Sequence, residues 1–153
     1  MNMLQYFLDH DLVYYSDKDI TDWKEAIQES CKQLLAKEII DQDYVKEIIS
    51  CVTEHGPYIV IVPGVAMPHS SGESKGVHGT AISFTKMKNP IIFNSEEEKS
   101  ASLFFTLAAE KTQEHIENIQ NLSEMLMTEG VINHLMQTSS LEDFRAVTKE
   151  YTL

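Results

Sequence analysis

The chain has 153 residues, 42% of them hydrophobic, which is enough to bury one core but too few for two comfortable domains. Twelve basic and twenty-four acidic residues give a formal net charge of −12, which argues against nucleic acid as a partner because phosphates would be repelled. No run approaches the roughly 18 apolar residues of a membrane span, and the first residues include an acid where a signal peptide carries positive charge. We therefore expect a single domain over residues 1–153 that lies in the cytoplasm and does not insert into a membrane.

The first third of the chain has mainly helical periodicity. A short helix near residues 3–9 and a strand-like run at 12–15 precede a helix that Asp19 or Thr21 could cap. Asp41 is typical of the cap of a further helix, which should end before Gly56. The predicted inner faces of these two helices follow the 3.6-residue period and comprise Trp23, Ala26, Ile27, Ser30, Cys31, Leu34, Leu35, Tyr44, Val45, Ile48, Cys51 and Val52.

The middle of the chain is rich in β-branched and aromatic runs. Four of them, YIVIV, GTAISFT, PIIF and SLFFTLAA, predict strands, and the acidic run at residues 96–98 indicates a solvated loop. Beyond Ala109 helical spacing returns in apolar stripes and in a last short helix at 141–147. This order predicts an α/β fold, with one mixed β-sheet flanked by helices in a single layered domain.

Cys31 and Cys51 are twenty positions apart and form no C-x-x-C pair, so we expect two buried free thiols.

His69 is the first candidate for chemistry, in the segment PGVAMPHSSGESKGVHG. Pro68 stiffens the approach to the histidine, and the small polar residues after it leave space beside the ring. Such a histidine suits a nucleophile that meets partner proteins, although a solvated loop histidine is the ordinary alternative. We expect Val65, Met67 and Val77 to form an apolar docking patch around it.

His115 is the second candidate. With Thr112 as a possible N-cap, it falls in the first turn of a helix, where unpaired N–H groups attract anions. An exposed helix histidine is again the ordinary alternative. His10, His55 and His134 have no comparable setting, and His78 stays of interest because it is close to His69 in sequence. No H-x-x-x-H pair, phosphate-binding loop or dinucleotide fingerprint is present, so a metal site at His69 and His115 is a minor alternative and no nucleotide or other cofactor is predicted.

Three segments together, GPYIVIVPGVAMPHSSGESKGV, GTAISFTKMKNPIIF and SLFFTLAAEKTQEHIENIQNLSEML, resemble the mannitol/fructose-type EIIA superfamily of the bacterial phosphoenolpyruvate-dependent sugar phosphotransferase system. The family's phosphorylated histidine lies in a Pro-His segment after a glycine, which corresponds to His69. Its second active-site histidine follows an alanine-rich strand end and corresponds to His115. Mannitol-type members carry an arginine upstream, whereas residues 50–54 here read SCVTE, and Lys75 is the candidate replacement for that charge. The Gly56-Pro57-Tyr58 lead-in resembles the ascorbate-type branch.

The resemblance implies a cytoplasmic phosphotransferase that needs no cofactor. The carrier protein HPr would phosphorylate His69, and the phosphoryl group would pass to a cysteine of a cognate EIIB, which serves a membrane EIIC in the uptake of ascorbate or a related sugar. His115 and donors from Ser70 or Ser71 would stabilise the phosphoryl charge, with Lys75 as a further candidate. An EIIA-like regulatory phosphoprotein that controls a transcription factor or an enzyme is the alternative.

Overall fold

The computed structural model describes residues 2–70, 74–93 and 96–151, and these ranges contain seven helices and five strands. The helices are α1 (Met3–Asp9), α2 (Trp23–Ser30), α3 (Lys32–Ala36), α4 (Gln42–His55), α5 (Thr112–Met127), α6 (Val131–Met136) and α7 (Leu141–Glu150). The strands are β1 (Val13–Tyr15), β2 (Val60–Val62), β3 (Gly64–Ala66), β4 (Ala81–Phe93) and β5 (Glu96–Ala108). None of the helices in these ranges is long and apolar enough to cross a membrane.

The strands form one mixed sheet in the order β1-β4-β5-β3-β2. The long strands β4 and β5 pair antiparallel at its centre, while β1 runs parallel to β4 and β3 runs parallel to β5. β2 pairs antiparallel with β3 and forms that edge of the sheet. The sheet with its flanking helices confirms the fold class predicted from the sequence.

Neighbouring residues of β5 face opposite sides of the sheet, as the two-residue period of a strand requires. Phe105 packs against Phe7 of α1, with ring centroids 5.8 Å apart. On the other side, Phe104 lies 6.3 Å from Phe93, whose ring in turn contacts Trp23 of α2. Two apolar helical layers therefore hold the central strands, and the phenylalanine rings among these residues are fully buried.

The helical part of the chain agrees with the sequence pattern in its buried face and differs at its ends. Asp22 caps α2 through a hydrogen bond from the Glu25 N–H, so the predicted caps Asp19 and Thr21 were wrong by one to three residues. Cys31 separates α2 from α3 yet stays fully buried, so the two short helices keep one inner face. Asp41 caps α4 as predicted, since its side chain accepts from two backbone N–H groups. Both cysteines are free thiols, although Cys51 is only half-buried.

Three predictions in the strand-rich part of the chain were wrong because each relied on the local sequence alone. Pro90 separates GTAISFT from PIIF in the sequence, but β4 runs through it, and the register shift between Lys86 and Ile91 accommodates the exposed proline. The acidic run at 96–98, interpreted as a loop, forms the start of β5. The Gly/Pro-rich stretch after β2 was not predicted as a strand, yet it contains β3.

Candidate functional site

The two candidate histidines meet because their segments leave the sheet at the same edge. β3 and β5 are parallel neighbours, and the carboxyl ends of parallel strands lie together. The N–H of Leu107 donates to the carbonyl of Pro68 at 3.0 Å, which extends this pairing to the residue before His69. The chain continues from β5 into α5, which carries His115. The two imidazole rings lie 5.5 Å apart between centroids, at an interplanar angle of 47°.

One nitrogen of the His69 ring is hydrogen-bonded, and the other has no hydrogen-bond partner within residues 2–70, 74–93 and 96–151. Its Nδ1 lies 2.5 Å from the carbonyl oxygen of Met67, and since a carbonyl can only accept, Nδ1 carries the proton. The neutral tautomer then leaves the lone pair on Nε2. This geometry gives His69 a nucleophilic nitrogen whose identity is set by the backbone two residues upstream.

Both histidines are held towards the neutral form. Burial lowers the pKa of His69, partly opposed by the hydrogen bond to Met67, and the neighbouring His115 lowers it further. Burial also lowers the pKa of His115. Because an ordinary histidine has a pKa of about 6.5, both rings are predominantly neutral at pH 7. The pair can therefore offer a free nitrogen to an electrophile at neutral pH.

The amino end of α5 gives the site its electrostatic character. Lys111 is the N-cap, so the predicted cap Thr112 is instead the first helical residue. No side chain among the described residues caps this helix, and the N–H of His115 is already bonded to the Lys111 carbonyl at 3.0 Å. The preceding first-turn N–H groups therefore form the positive end of the helix dipole beside the imidazole pair, a setting that favours an anion.

The structure gives less support to Ser70, Ser71 and Lys75 as phosphate-binding residues than to the two histidines. Ser70 is buried, and its N–H donates to the hydroxyl of Tyr44 at 3.4 Å. Ser71 lies outside the described residues. Lys75 is exposed in a turn and takes part in none of the ion pairs found in residues 2–70, 74–93 and 96–151. The geometry thus brings His69 and His115 together without assigning a contact to Lys75.

Two tyrosines support the His69 segment, and sequence reasoning missed both as site residues. The hydroxyl of Tyr58 donates to the backbone carbonyl of His69, and its ring meets the imidazole edge-on at 5.3 Å and 86°. The hydroxyl of Tyr44 donates to the Leu107 carbonyl at 2.7 Å. Tyr58 was noted in the sequence as part of the Gly56-Pro57-Tyr58 lead-in and of the predicted strand YIVIV, and Tyr44 only as an inward helix residue. Neither pattern indicated a hydrogen bond to the site.

The predicted apolar docking patch was wrong in its residues. Val65 is 0% exposed and Met67 is 4% exposed, because both continue the buried strand β3 and its exit, and Val77 is half-buried. The apolar side chains that do reach the surface include Ile61 of β2 and Ile116, which directly follows His115.

The remaining candidates lie in other settings. His78 is exposed and its Nε2 lies 2.9 Å from a carboxylate oxygen of Asp41, which links the chain after the His69 loop to the start of α4. Within the described part of the chain, no three His, Cys, Asp or Glu side chains come together as a group that could hold a metal ion.

Comparison with known proteins agrees with this architecture. The family described as "Phosphoenolpyruvate-dependent sugar phosphotransferase system, EIIA 2" matches residues 6–151. The mannitol-specific cryptic phosphotransferase enzyme IIA component of Escherichia coli (strain K12) is 36% identical over 141 residues, which cover 92% of each chain. The ascorbate-specific EIIA component of the same organism is 35% identical over 95 residues, covering 62% of this chain and 61% of the relative.

The fold is shared with solved structures of the same group. The solution structure of the E. coli mannitol-specific cryptic enzyme IIA superposes with a TM-score of 0.80 at 30% identity, over 98% of this chain and 99% of that one. The crystal structure of the E. coli mannitol enzyme IIA gives a TM-score of 0.74 at 25% identity, over 88% and 94%. The family match spans nearly the whole chain, and the chain belongs to the EIIA 2 family of the phosphoenolpyruvate-dependent sugar phosphotransferase system.

Proposed function

We propose that this chain is a cytoplasmic EIIA phosphocarrier in which His69 accepts a phosphoryl group from phosphorylated HPr and passes it to a cysteine of a cognate EIIB. The observation that carries the proposal is the arrangement of His69. Its Nδ1 is bonded to the Met67 carbonyl, its Nε2 has no hydrogen-bond partner among the described residues, and its ring centroid lies 5.5 Å from that of His115. EIIB in turn would serve the membrane component EIIC.

The proposed step is an in-line displacement. The lone pair on Nε2 of His69 attacks phosphorus, the new N–P bond forms, and the N–P bond of the HPr phosphohistidine breaks with its electron pair returning to the donor ring. In the second half, an EIIB thiolate attacks the same phosphorus, an S–P bond forms, and the electron pair of the broken N–P bond returns to Nε2. Since the transition state is loose, the protein's contribution is alignment and charge stabilisation.

The surroundings of His69 fit this chemistry. The lowered pKa of the ring keeps Nε2 unprotonated at neutral pH. The uncapped amino end of α5 favours negative charge, and His115 can donate to a phosphoryl oxygen once it binds a proton. These two groups take the role that an arginine has in mannitol-type members, and Ser70, Ser71 and Lys75 are secondary candidates. A solved complex of the E. coli mannitol enzyme IIA with phosphorylated enzyme IIB, which shares this fold, supports EIIB as the acceptor.

For the transported sugar, we propose an ascorbate-type system. The Gly56-Pro57-Tyr58 lead-in supports it, together with ascorbate-specific relatives at 34 to 36% identity over 95 residues. Mannitol is the second candidate, because the mannitol-specific cryptic component matches over a longer stretch of 141 residues. Rates of phosphoryl transfer to purified EIIB proteins of the two systems distinguish them, and the cognate EIIB should react much faster.

The test is phosphorylation of the purified protein by phosphoenolpyruvate, enzyme I and HPr. We expect a mass increase of one phosphoryl group that is lost in acid, is retained in base and lies on the peptide containing His69. His69→Ala should abolish it, whereas the matched variant His78→Ala, which changes an exposed histidine after the same loop, should keep it. His115→Ala should slow onward transfer to EIIB more than it slows phosphorylation. Full labelling of the His69→Ala protein would contradict the proposal.

A further inference from the structure

The turn between α4 and β2 brings Tyr58 into contact with His69. Gly56 ends α4 with φ 84°, a left-handed backbone that favours glycine, and its N–H bonds to the Val52 carbonyl at 2.9 Å. The N–H of Tyr58 then donates to the Gly56 carbonyl at 2.8 Å, which makes the turn tight. The glycine and proline of this lead-in therefore set the position of the Tyr58 side chain.

Tyr58 contacts both the backbone and the side chain of the same residue. Its hydroxyl donates to the carbonyl oxygen of His69, while its ring stands nearly perpendicular to the imidazole, 5.3 Å away. An edge-to-face contact of this kind favours one ring orientation. Burial raises the pKa of the Tyr58 hydroxyl, so the hydroxyl keeps its proton and stays a donor throughout the neutral range.

Several hydrogen bonds around His69 together set the direction of its Nε2 atom. The Met67 carbonyl selects the tautomer by accepting from Nδ1. Pro68 is fixed to β5 through the Leu107 N–H. Without the hydrogen bond from Tyr58, however, the His69 carbonyl would lose its donor, and the ring of residue 58 would no longer be tied to the backbone of the imidazole that it orients.

We propose that Tyr58 is a positioning residue for phosphoryl transfer at His69, a role that rests on the function proposed above. Transfer between two large partners needs Nε2 to lie in line with the breaking bond, and small misalignments of a reacting atom cost much of the rate. Tyr58 holds the nitrogen in that direction before either partner docks, without itself touching the phosphoryl group.

The experiment compares Tyr58→Phe with a matched control, Tyr15→Phe. Tyr15 lies on β1 at the far edge of the sheet, where its hydroxyl donates to Thr138 at 2.8 Å, so both variants lose one tyrosine hydrogen bond. We expect single-turnover phosphorylation by phosphorylated HPr to slow about tenfold in Tyr58→Phe and to stay within about twofold of wild type in Tyr15→Phe. NMR relaxation of the His69 ring should show a more mobile imidazole in Tyr58→Phe alone, a signature that a loss of stability does not produce.

Equal rates and equal His69 ring mobility in the two variants, with wild type phosphorylated normally, would overturn the role of Tyr58 and leave the proposed function intact. An unphosphorylated wild type would instead refute the proposed function. Should Tyr58→Phe fold poorly, the wild-type protein supplies the second measurement. A slowly exchanging Tyr58 hydroxyl proton, close to the His69 ring in NMR, supports the proposal, and a freely exchanging one overturns it.

Discussion

Phosphorylation of His69 should raise the pKa of its neighbour His115. In the free protein burial lowers the pKa of His115, because the charged imidazolium is poorly solvated. A phosphoryl group on Nε2 of His69 adds negative charge within reach of that ring and favours its protonated form. The two effects oppose one another, so the distance between the rings decides the outcome.

The magnitude follows from that distance. For centroids 5.5 Å apart, one negative charge and one imidazolium at an effective dielectric constant of about 20 attract each other by about 3 kcal/mol. This energy corresponds to about a hundredfold increase in the proton affinity of His115. The gain is large enough to overcome a partial desolvation penalty and to supply a positive charge at the site only when the phosphoryl group is present.

The assay is an NMR titration of the His115 ring protons before and after phosphorylation, between about pH 6 and about pH 9, where phosphohistidine persists. The control is His69→Ala, which lacks the acceptor ring, so the same phosphorylation mixture should leave its His115 titration unchanged. An unchanged His115 titration in the phosphorylated protein would refute the reasoning, since it would mean that the ring does not face the phosphoryl group.

Three further outcomes concern stability. Tyr44→Phe leaves a buried strand carbonyl without its 2.7 Å donor and should lower the free energy of unfolding in urea by about 1 to 3 kcal/mol. Gly64→Ala places a side chain at φ 94° and should cost about 1 to 3 kcal/mol, against less than about 0.5 for the control Gly79→Ala. Burial lowers the pKa of His69 and His115, so the unfolded chain binds more protons than the folded one in mild acid. The stability that the two neutral rings contribute above about pH 6.5 should therefore decline in urea titrations as the pH falls from about 6.5 towards their lowered pKa values.

The results that would contradict these outcomes are equally specific. A Tyr44→Phe midpoint equal to wild type would mean that the carbonyl finds another donor. Equal urea midpoints for Gly64→Ala and Gly79→Ala would show that the left-handed backbone at Gly64 does not raise the cost of a side chain there. For the histidines, a double variant with both rings replaced by glutamine should show a weaker loss of stability between neutral and mildly acid pH than wild type, and an identical loss would assign the acid sensitivity to other groups.

The sequence was sufficient to predict what depends on local pattern. The helical and strand-rich regions follow from periodicity, and Asp41 was identified as a cap from its position alone. His69 and His115 were selected by their local settings and by the family resemblance, and the structure brings their rings together. Their proximity follows from two parallel strands that end at one edge, which is a topological consequence that the resemblance to a known fold made predictable.

The predictions that were wrong concern features that depend on pairing between distant segments of the chain. Val65 and Met67 were expected in an apolar docking patch around His69, but pairing of β3 with β5 places Val65 and the adjoining Met67 in the core. Pro90 indicated a break that the register shift in β4 absorbs. The contact between Tyr58 and His69 forms only when a turn, a strand and a loop are all in place, so no short stretch of the sequence indicates it.

The most direct test of the central claim is to find which nitrogen carries the phosphoryl group. Protein labelled with ¹⁵N in histidine would be phosphorylated through enzyme I and HPr, and phosphorus–nitrogen coupling would be measured by NMR. The arrangement of Nδ1 against the Met67 carbonyl predicts coupling to Nε2 of His69 and no coupling at the other histidines. Coupling to Nδ1, or to another histidine, would contradict the account.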